Sequence, residues 1–185
     1  RDKEIARWCR QNSVDWKESV HNGVFRGIPN RKHWKNDWVS YINEPIPETK
    51  IEYGHFYSIN EIDQLVKTYF NGISLQTTLN KNVQRGGTQT GVKYLNSFLK
   101  TRILGYNTNY SKPATSRLYS SRLSPYLAWG NLSTRQVCQY VANHKKNTST
   151  RNLNSFLSRM RWQAHFIQKF EMEGEMEFKS INKGY

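Results

Sequence analysis

Residues 120–137 read SSRLSPYLAWGNLSTRQV and place two helix starts close together. Ser124 comes directly before a proline, which is favoured at the first position of a helix because its missing N–H has no helical partner there. We therefore predict that Ser124 caps a short helix, which Gly130 ends. Ser133 and Gln136 have the spacing of a capping box, which predicts a second helix from this point.

The serines of this stretch also suit a bound anion. The hydroxyl groups of Ser120, Ser121 and Ser124 stand beside Arg122 in the sequence. The free N–H groups of a helix start attract negative charge, so these residues predict a phosphate-binding loop. The alternative is that the serines only cap helices, as most residues at helix starts do.

The charge of the chain favours a polyanionic partner. Its 185 residues carry a net charge of +14 at pH 7, and 14% of them are aromatic. Several aromatic residues stand next to cations, as in RKHWKNDW and SRMRWQAHF. Surfaces that bind nucleic acids combine cations for the phosphates with rings that stack on bases. The composition therefore predicts nucleic acid as a partner before a membrane surface.

Residues that could carry out chemistry by themselves are sparse. Cys9 and Cys138 are far apart and lack the spacing of metal ligands, so we expect a reducing, cytoplasmic compartment and no zinc site. The five histidines match no metal or catalytic motif. No apolar run approaches the roughly 20 residues of a membrane span. A cofactor or a binding role is therefore favoured over catalysis by side chains alone.

Hydrophobic periodicity predicts a mainly helical protein. Apolar residues recur with helical spacing over residues 2–11, 33–42, 61–70, 91–104, 134–144 and 153–170. The intervening polar stretches predict loops over about 43–60, 71–90 and 106–120. Residues 13–20, SVDWKESV, alternate apolar and polar side chains and predict a short strand. A helix followed by a strand at the start of the chain is typical of the end of an α/β unit.

The stretch at 120–137 closely resembles the flavin-phosphate segment of the DNA photolyase and cryptochrome family, a T/S-S-x-L-S-P run followed by a helix, a glycine, Leu-Ser and Arg-Gln. GGTQTGVKYLNSFLKTRILGY (86–106) resembles the family's Gly-Gly segment and the helix before the flavin loop. SFLSRMRWQAHFIQKF (155–170) resembles the helix that carries a tryptophan on the DNA-facing side of the flavin. RDKEIARWCRQNSVDWKESVHNGV (1–24) is similar to the last helix and strand of the antenna domain.

The resemblance covers essentially the whole chain and implies a mainly α fold. The implied domains are the end of a Rossmann-like α/β antenna domain (1–22), a linker (23–60) and the first half of the all-helical FAD-binding domain (61–185). The helical domain of the family continues well past the equivalent of Tyr185, and the chain has no initiator methionine. We therefore expect an internal part of a longer protein, inactive and unstable by itself.

Carried over position by position, the resemblance assigns the flavin phosphates to Ser120, Ser121, Arg122, Leu123 and Ser124. Tyr106 matches a flavin-contacting tyrosine of the family, with Tyr110 as the competing match.

Trp162 matches a tryptophan that packs against a base flipped out of DNA. A tryptophan among the apolar residues of this helix fits a core position equally well. Arg159, Gln163 and Phe166 are the other residues of this segment expected at the DNA. Arg159 stands where many members have a glutamate in contact with the damaged base, and Gln163 stands where an arginine often follows the tryptophan. These departures imply another lesion preference, a relative that does not repair cyclobutane dimers, or a branch that uses other residues.

The implied function is that of a deoxyribodipyrimidine photolyase, a carbon–carbon lyase in which reduced FAD, excited by blue light, passes an electron to a pyrimidine dimer in DNA. The implied cofactor is FAD, with a second antenna chromophore in the N-terminal domain. The implied partner is damaged DNA. The full-length protein is expected to be a monomer and to have no membrane partner. The lesion, cyclobutane dimer or 6-4 product, stays open. Two alternatives are a cryptochrome-like photoreceptor that binds FAD without repairing DNA, and a helical nucleic-acid-binding module without a flavin.

Overall fold

The computed structural model describes residues 2–48, 56–70, 83–144 and 149–180, together with Asn182 and Gly184. Within these ranges the protein is mainly helical and contains no β-strand, only an isolated bridge between His21 and Val24. The described ranges form the helices α1 (Asp2–Gln11), α2 (Trp34–Asn43), α3 (Ile59–Tyr69), α4 (Thr88–Lys100), α5 (Tyr106–Asn109), α6 (Pro113–Tyr119), α7 (Ser124–Ala128), α8 (Thr134–Asn143) and α9 (Thr150–Met172).

The chain divides into two compact units, Arg1–Glu44 with Gly86–Tyr185, and Pro45–Arg85. In the described part of the second unit, α3 begins with a capping box. Ser58 Oγ accepts a hydrogen bond from the N–H of Glu61, and Glu61 Oε2 accepts one from the N–H of Ser58. These hydrogen bonds lower the pKa of the Glu61 carboxyl. The boundaries expected for the antenna domain, the linker and the flavin domain stay a prediction.

One hydrophobic core holds the first unit together. Its buried side chains include Trp34, Trp38, Tyr41, Leu95, Phe98, Ile103, Tyr126, Val137, Val141, Leu153, Phe156 and Met160. Within each long helix these residues recur three or four positions apart and therefore share one face. Burial of each large apolar side chain stabilises the fold by roughly 1.5–3 kcal/mol. This core confirms the helices expected at α2, α4, α8 and α9.

The segment between α1 and α2, which we call the N-terminal segment (residues 12–33), is bound to α9 by the fully buried side-chain amide of Gln168. Gln168 has none of its surface exposed, and its side chain accepts a hydrogen bond from the N–H of Phe25 (2.7 Å) and donates one to the carbonyl of Phe25 (2.9 Å). The indole of Trp34 donates a hydrogen bond to the carbonyl of Gly23. A buried amide is tolerated when both of its ends are paired, so Gln168 fixes the register between the segment and α9.

The strand expected over residues 13–20 is wrong. Residues 14–20 have no regular structure, and the side chains that suggested alternation, Val14, Trp16 and Val20, are all between 42% and 48% exposed. A strand needs a partner for its backbone groups, and the described residues offer none here. The helix expected before it is confirmed as α1.

The loop expected over residues 106–120 is also wrong, because it contains α5 and α6. Pro113 occupies the first turn of α6, where its fixed φ favours the helix. The segment lacks an apolar face, which is why its periodicity gave no helix signal. Of the loops expected over about 43–60 and 71–90, residues 49–55 and 71–82 lie outside the described residues.

No helix in the described ranges combines the length and the apolar composition that crossing a bilayer requires.

Candidate functional site

Arg102 holds the loop of residues 120–124, which we call the serine loop. One guanidinium nitrogen of Arg102 donates hydrogen bonds to the carbonyls of Ser120 (2.7 Å) and Ser121 (3.2 Å). The other donates to the carbonyl of Tyr94 (2.8 Å) and to Ser97 Oγ (2.9 Å). Four charge-assisted bonds from one side chain fix the loop against α4. Burial, followed by repulsion from Arg122, lowers the pKa of Arg102.

The backbone of the serine loop takes an unusual conformation at Arg122, whose φ of 58° lies in the left-handed region. Leu123 is buried, with 1% of its surface exposed, and its N–H donates to Ser121 Oγ (3.4 Å). Leu123 therefore anchors the loop in the core, while its neighbours stay near the surface.

Ser124 is not the helix cap that the sequence predicts. The capping position of α7 is Leu123, and no side chain caps it. Leu123 already has helical φ and ψ values, so the helix includes Ser124 as its first residue, and the Ser124 side chain is exposed. The capping box at α8 is confirmed, because Ser133 and Gln136 exchange both of its hydrogen bonds. Gly130, with φ of 68°, follows the end of α7 as expected.

A close approach at Gly105 sets the path of the chain into the serine loop. A Cβ atom added at Gly105 would lie 2.3 Å from the ring of Tyr119, at the end of α6. Only a glycine lets the 3-10 turn Arg102–Gly105 pack this tightly on α6. The start of α9 holds the same turn through Asn152, which donates to the carbonyl of Leu104 (2.9 Å) and accepts from the N–H of Asn107 (3.3 Å).

Tyr106, Tyr110 and Arg159 form a continuous stack, which we call the tyrosine stack. The rings of Tyr106 and Tyr110 lie 5.5 Å apart and are stacked, with 26° between their planes. The Arg159 guanidinium carbon lies 4.3 Å from the ring centre of Tyr110, a cation–π contact. Tyr106 is buried against Phe98 and Phe156, and burial raises the pKa of its hydroxyl.

Trp162 lies at the surface of α9, with 48% of its surface exposed. Trp162 is therefore not a core residue, although its sequence context fitted a core position equally well. Phe166, one turn further on, is 59% exposed and packs at 5.6 Å from the Trp162 ring. Gln163 is exposed beside them. Exposed aromatic rings that contact each other on one helix suit a stacking partner.

A depression of about 490 Å³ lies between the tyrosine stack and Trp162, and we call it the large depression. Its walls are mostly polar and include two arginines: Asn107, Tyr110, Arg151, Asn154, Ser155, Ser158, Arg159 and Trp162. Hydroxyl and amide groups beside a ring can hydrogen-bond the edge of a planar heterocycle while the ring stacks on its face. Arg159 cannot accept a hydrogen bond, so a base held here would meet a donor at this position.

The structure therefore groups the predicted residues into two sets. Ser120, Ser121, Arg122, Leu123 and Ser124 are neighbours in the serine loop, while Tyr106, Arg159, Trp162, Gln163 and Phe166 belong to α5 and α9. Arg102 and Asn152 were missed, because their partners lie 18 and 48 residues away in the sequence. The described residues contain no cluster of three or more histidines, cysteines or carboxylates that could hold a metal ion.

The chain is similar to the deoxyribodipyrimidine photo-lyase of Alkalihalophilus pseudofirmus, with 25% identity over 123 residues. The match covers 66% of this chain and 24% of that protein, so the chain spans about a quarter of the relative's length. No family model matches the chain. No solved structure matches it either.

Proposed function

We propose that this chain is part of a photolyase-like, flavin-dependent enzyme that splits pyrimidine dimers in DNA under light. The observation that carries the proposal is the match with a deoxyribodipyrimidine photo-lyase. The mainly helical fold agrees with the helical flavin domain implied by the sequence motifs. The remaining support comes from the two groups of site residues.

The serine loop fits the phosphates of FAD. Its carbonyl oxygens at Ser120 and Ser121, which would repel an anion, are occupied by Arg102. Arg122 adds a second positive charge, and the hydroxyl of Ser124 is exposed. A cationic loop that carries hydroxyls, with its nearby carbonyls paired, suits a phosphate. In this proposal Ser120, Ser121, Arg122, Leu123 and Ser124 hold the diphosphate, and Tyr106 contacts the flavin.

The surface of α9 fits a base taken out of the DNA duplex. Trp162 and Phe166 supply exposed rings, and the large depression supplies polar groups beside them. Extruding a nucleotide costs a few kcal/mol of lost stacking, which new stacking on a protein ring offsets. The net charge of +14 attracts the DNA backbone.

In this account the residues of the chain bind and orient, and none transfers a proton. When bound, reduced FAD supplies the electron that splits the dimer. The serine loop fixes the cofactor by its phosphates. Trp162 and the walls of the large depression hold the dimer in one orientation.

The test uses the complete protein with reduced FAD and an oligonucleotide that carries one thymine cyclobutane dimer, with a 6-4 product in parallel. We expect blue light to restore intact thymines in one of these substrates, measured by chromatography, with no change in the dark. A flavin-loaded protein that binds the damaged strand and repairs neither lesion in light would contradict the proposal.

A second candidate function is that of a cryptochrome-like photoreceptor. Arg159 occupies the position where the family often has a glutamate against the damaged base, and it stacks on Tyr110 instead. An arginine offers no acceptor for that contact. Light-dependent changes in the flavin spectrum without repair of either lesion would favour this function.

A further inference from the structure

Trp162 separates two depressions on the surface of the first unit. On the side away from the tyrosine stack lies a smaller one of about 280 Å³, which we call the small depression. It is formed by the N-terminal segment, α2 and α9, and its walls are Arg31, Trp34, Lys35, Arg161, Trp162 and His165. Three cations and two indole rings thus line the small depression. Neither the flavin nor the extruded base of the proposed function occupies it.

The walls of the small depression are held in place by contacts among themselves. Arg31 Nη1 lies 3.1 Å from His165 Nε2. Because a guanidinium only donates, His165 Nε2 accepts this bond and the proton of the neutral ring sits on Nδ1. The His165 ring packs edge-on against Trp34 at 5.5 Å and against Trp162 at 5.6 Å. His165 therefore contacts both a cation of the small depression, Arg31, and its two indole rings, Trp34 and Trp162.

The charge of the small depression is positive. Arg31, Lys35 and Arg161 line it, and no carboxylate of the described residues does. The carboxylate of Glu173 lies 3.8 Å from Arg31 Nη2 and the same distance from Lys169 Nζ, so it is shared between two cations. A partly enclosed cluster of cations beside a stacking ring fits a phosphate that is attached to a stacked nucleoside.

We propose that the small depression is a phosphodiester subsite for a nucleic-acid strand that crosses Trp162. The inference rests on the proposed function, in which the large depression receives the extruded base. Trp162 lines both depressions, so a strand that leaves the large depression across this ring brings its next phosphate to Arg31, Lys35 and Arg161. The subsite is independent of the lesion, because it reads only backbone charge.

His165 links this subsite to pH. Burial, followed by repulsion from Arg31 and Lys169, lowers the pKa of His165. A phosphate beside Arg31, Lys35 and Arg161 offsets that repulsion, so its binding favours the protonated ring. Affinity for the strand is therefore expected to rise as the pH falls, despite the opposing need to break the bond between Arg31 and His165.

The test compares the complete protein with the double variant Lys35→Gln/Arg161→Gln. Binding of a fluorescein-labelled, undamaged single-stranded oligonucleotide is followed by anisotropy over a series of salt concentrations. Each phosphate that is neutralised on a single strand adds about 0.7 to the slope of log affinity against log salt, so loss of this one phosphate contact in the double variant should reduce the slope by about 0.7. The matched control is Lys93→Gln/Lys100→Gln, which removes the same charge from exposed positions of α4.

The outcomes separate this inference from its premise. A smaller slope in the Lys35/Arg161 variant than in the control supports the subsite. Equal slopes in the two variants overturn it and leave the proposed function intact, which light-dependent repair then tests separately. A wild-type protein without affinity for the strand overturns the subsite as well, and light-dependent repair of a dimer again tests the proposed function by itself. If the double variant melts at a lower temperature than the control, the single variant Lys35→Glu, at an exposed position, repeats the comparison.

Discussion

At the scale of single residues, Arg102 joins the serine loop to α4 through four hydrogen bonds. Replacing Arg102 with Gln removes most of its four hydrogen bonds to Tyr94, Ser97, Ser120 and Ser121. The carbonyls that it satisfies lose their partners, so we expect the free energy of unfolding to fall by roughly 2–3 kcal/mol. Flavin affinity should fall as well, because the serine loop is released. Arg117→Gln, an exposed position of α6, serves as control. An Arg102→Gln variant with unchanged flavin affinity in a titration would show that Arg102 does not position the loop.

Trp162 and Phe156 lie on the same helix, but we expect replacement of Phe156 to affect stability and replacement of Trp162 to affect DNA binding. Phe156 is 3% exposed, so Phe156→Ala should lower the free energy of unfolding by roughly 3–5 kcal/mol. Trp162→Ala should change stability by less than about 1 kcal/mol, because half of the ring faces solvent. It should lower affinity for single-stranded DNA by about 5- to 150-fold, the effect of losing one stacked base.

The control for Trp162→Ala is Trp129→Ala, since Trp129 is 84% exposed and lies outside both depressions. Calorimetry gives the stabilities and anisotropy gives the affinities. Equal losses of DNA affinity in the two tryptophan variants would remove Trp162 from the site.

His165 predicts a pH dependence of stability. The pKa of His165 is lowered in the folded protein, so the unfolded chain takes up this proton first as the pH falls below the ordinary value of about 6.5. The contribution of His165 is therefore fully present above that value and is lost as the pH falls toward the folded pKa. His165→Gln keeps an acceptor for Arg31 and should make the urea midpoint less dependent on pH between neutral and mildly acidic conditions. The same pH dependence in both proteins would contradict this role.

At the scale of secondary structure elements, the packing of α6 on the turn before α5 depends on a glycine. Gly105→Ala places a methyl group 2.3 Å from the Tyr119 ring, and the resulting overpacking should lower the free energy of unfolding by roughly 1–3 kcal/mol. Gly174→Ala is the matched control, because a Cβ atom there meets nothing within 4 Å. The midpoint of urea unfolding measures both. Equal midpoints would mean that α6 moves aside without cost.

Which elements the sequence could predict depends on how they are stabilised. The helices α2, α4, α8 and α9 bury one apolar face each, and that face is visible as periodicity. The short α5 and α6 are stabilised by their neighbours, through Gly105 and Asn152, and a local pattern does not reveal such contacts. At residues 13–20 the sequence instead predicted an element that does not form. Apolar and polar side chains alternate there, but no neighbouring strand in the described residues pairs with this segment.

The candidate site was predictable only where its signal was local. The spacing of the serines and the positions of Trp162 and Phe166 stand in the sequence itself. Arg102 and the wall formed by Arg31 and His165 depend on contacts between distant segments, which a single sequence does not contain. The stack of Arg159 on Tyr110 is of the same kind.

At the scale of the whole molecule, the distribution of charge agrees with a polyanionic partner. Glu171, Glu173, Glu175 and Glu177 gather near one end of the chain, so the remainder is more basic than the net charge of +14 indicates. The two depressions beside Trp162 lie in this basic part and contain Arg31, Lys35, Arg151, Arg159 and Arg161. Binding of DNA should therefore depend steeply on salt.

The binding of a flavin phosphate by the serine loop is tested by the absorption spectrum of the complete protein, purified beside the variants Ser121→Ala/Ser124→Ala and Ser40→Ala. We expect a flavin spectrum in the wild type and in Ser40→Ala, whose serine is exposed on α2, and a weaker one in the double variant. A protein that neither contains nor takes up flavin, or a double variant with unchanged flavin content, would contradict the assignment of the serine loop to a flavin phosphate.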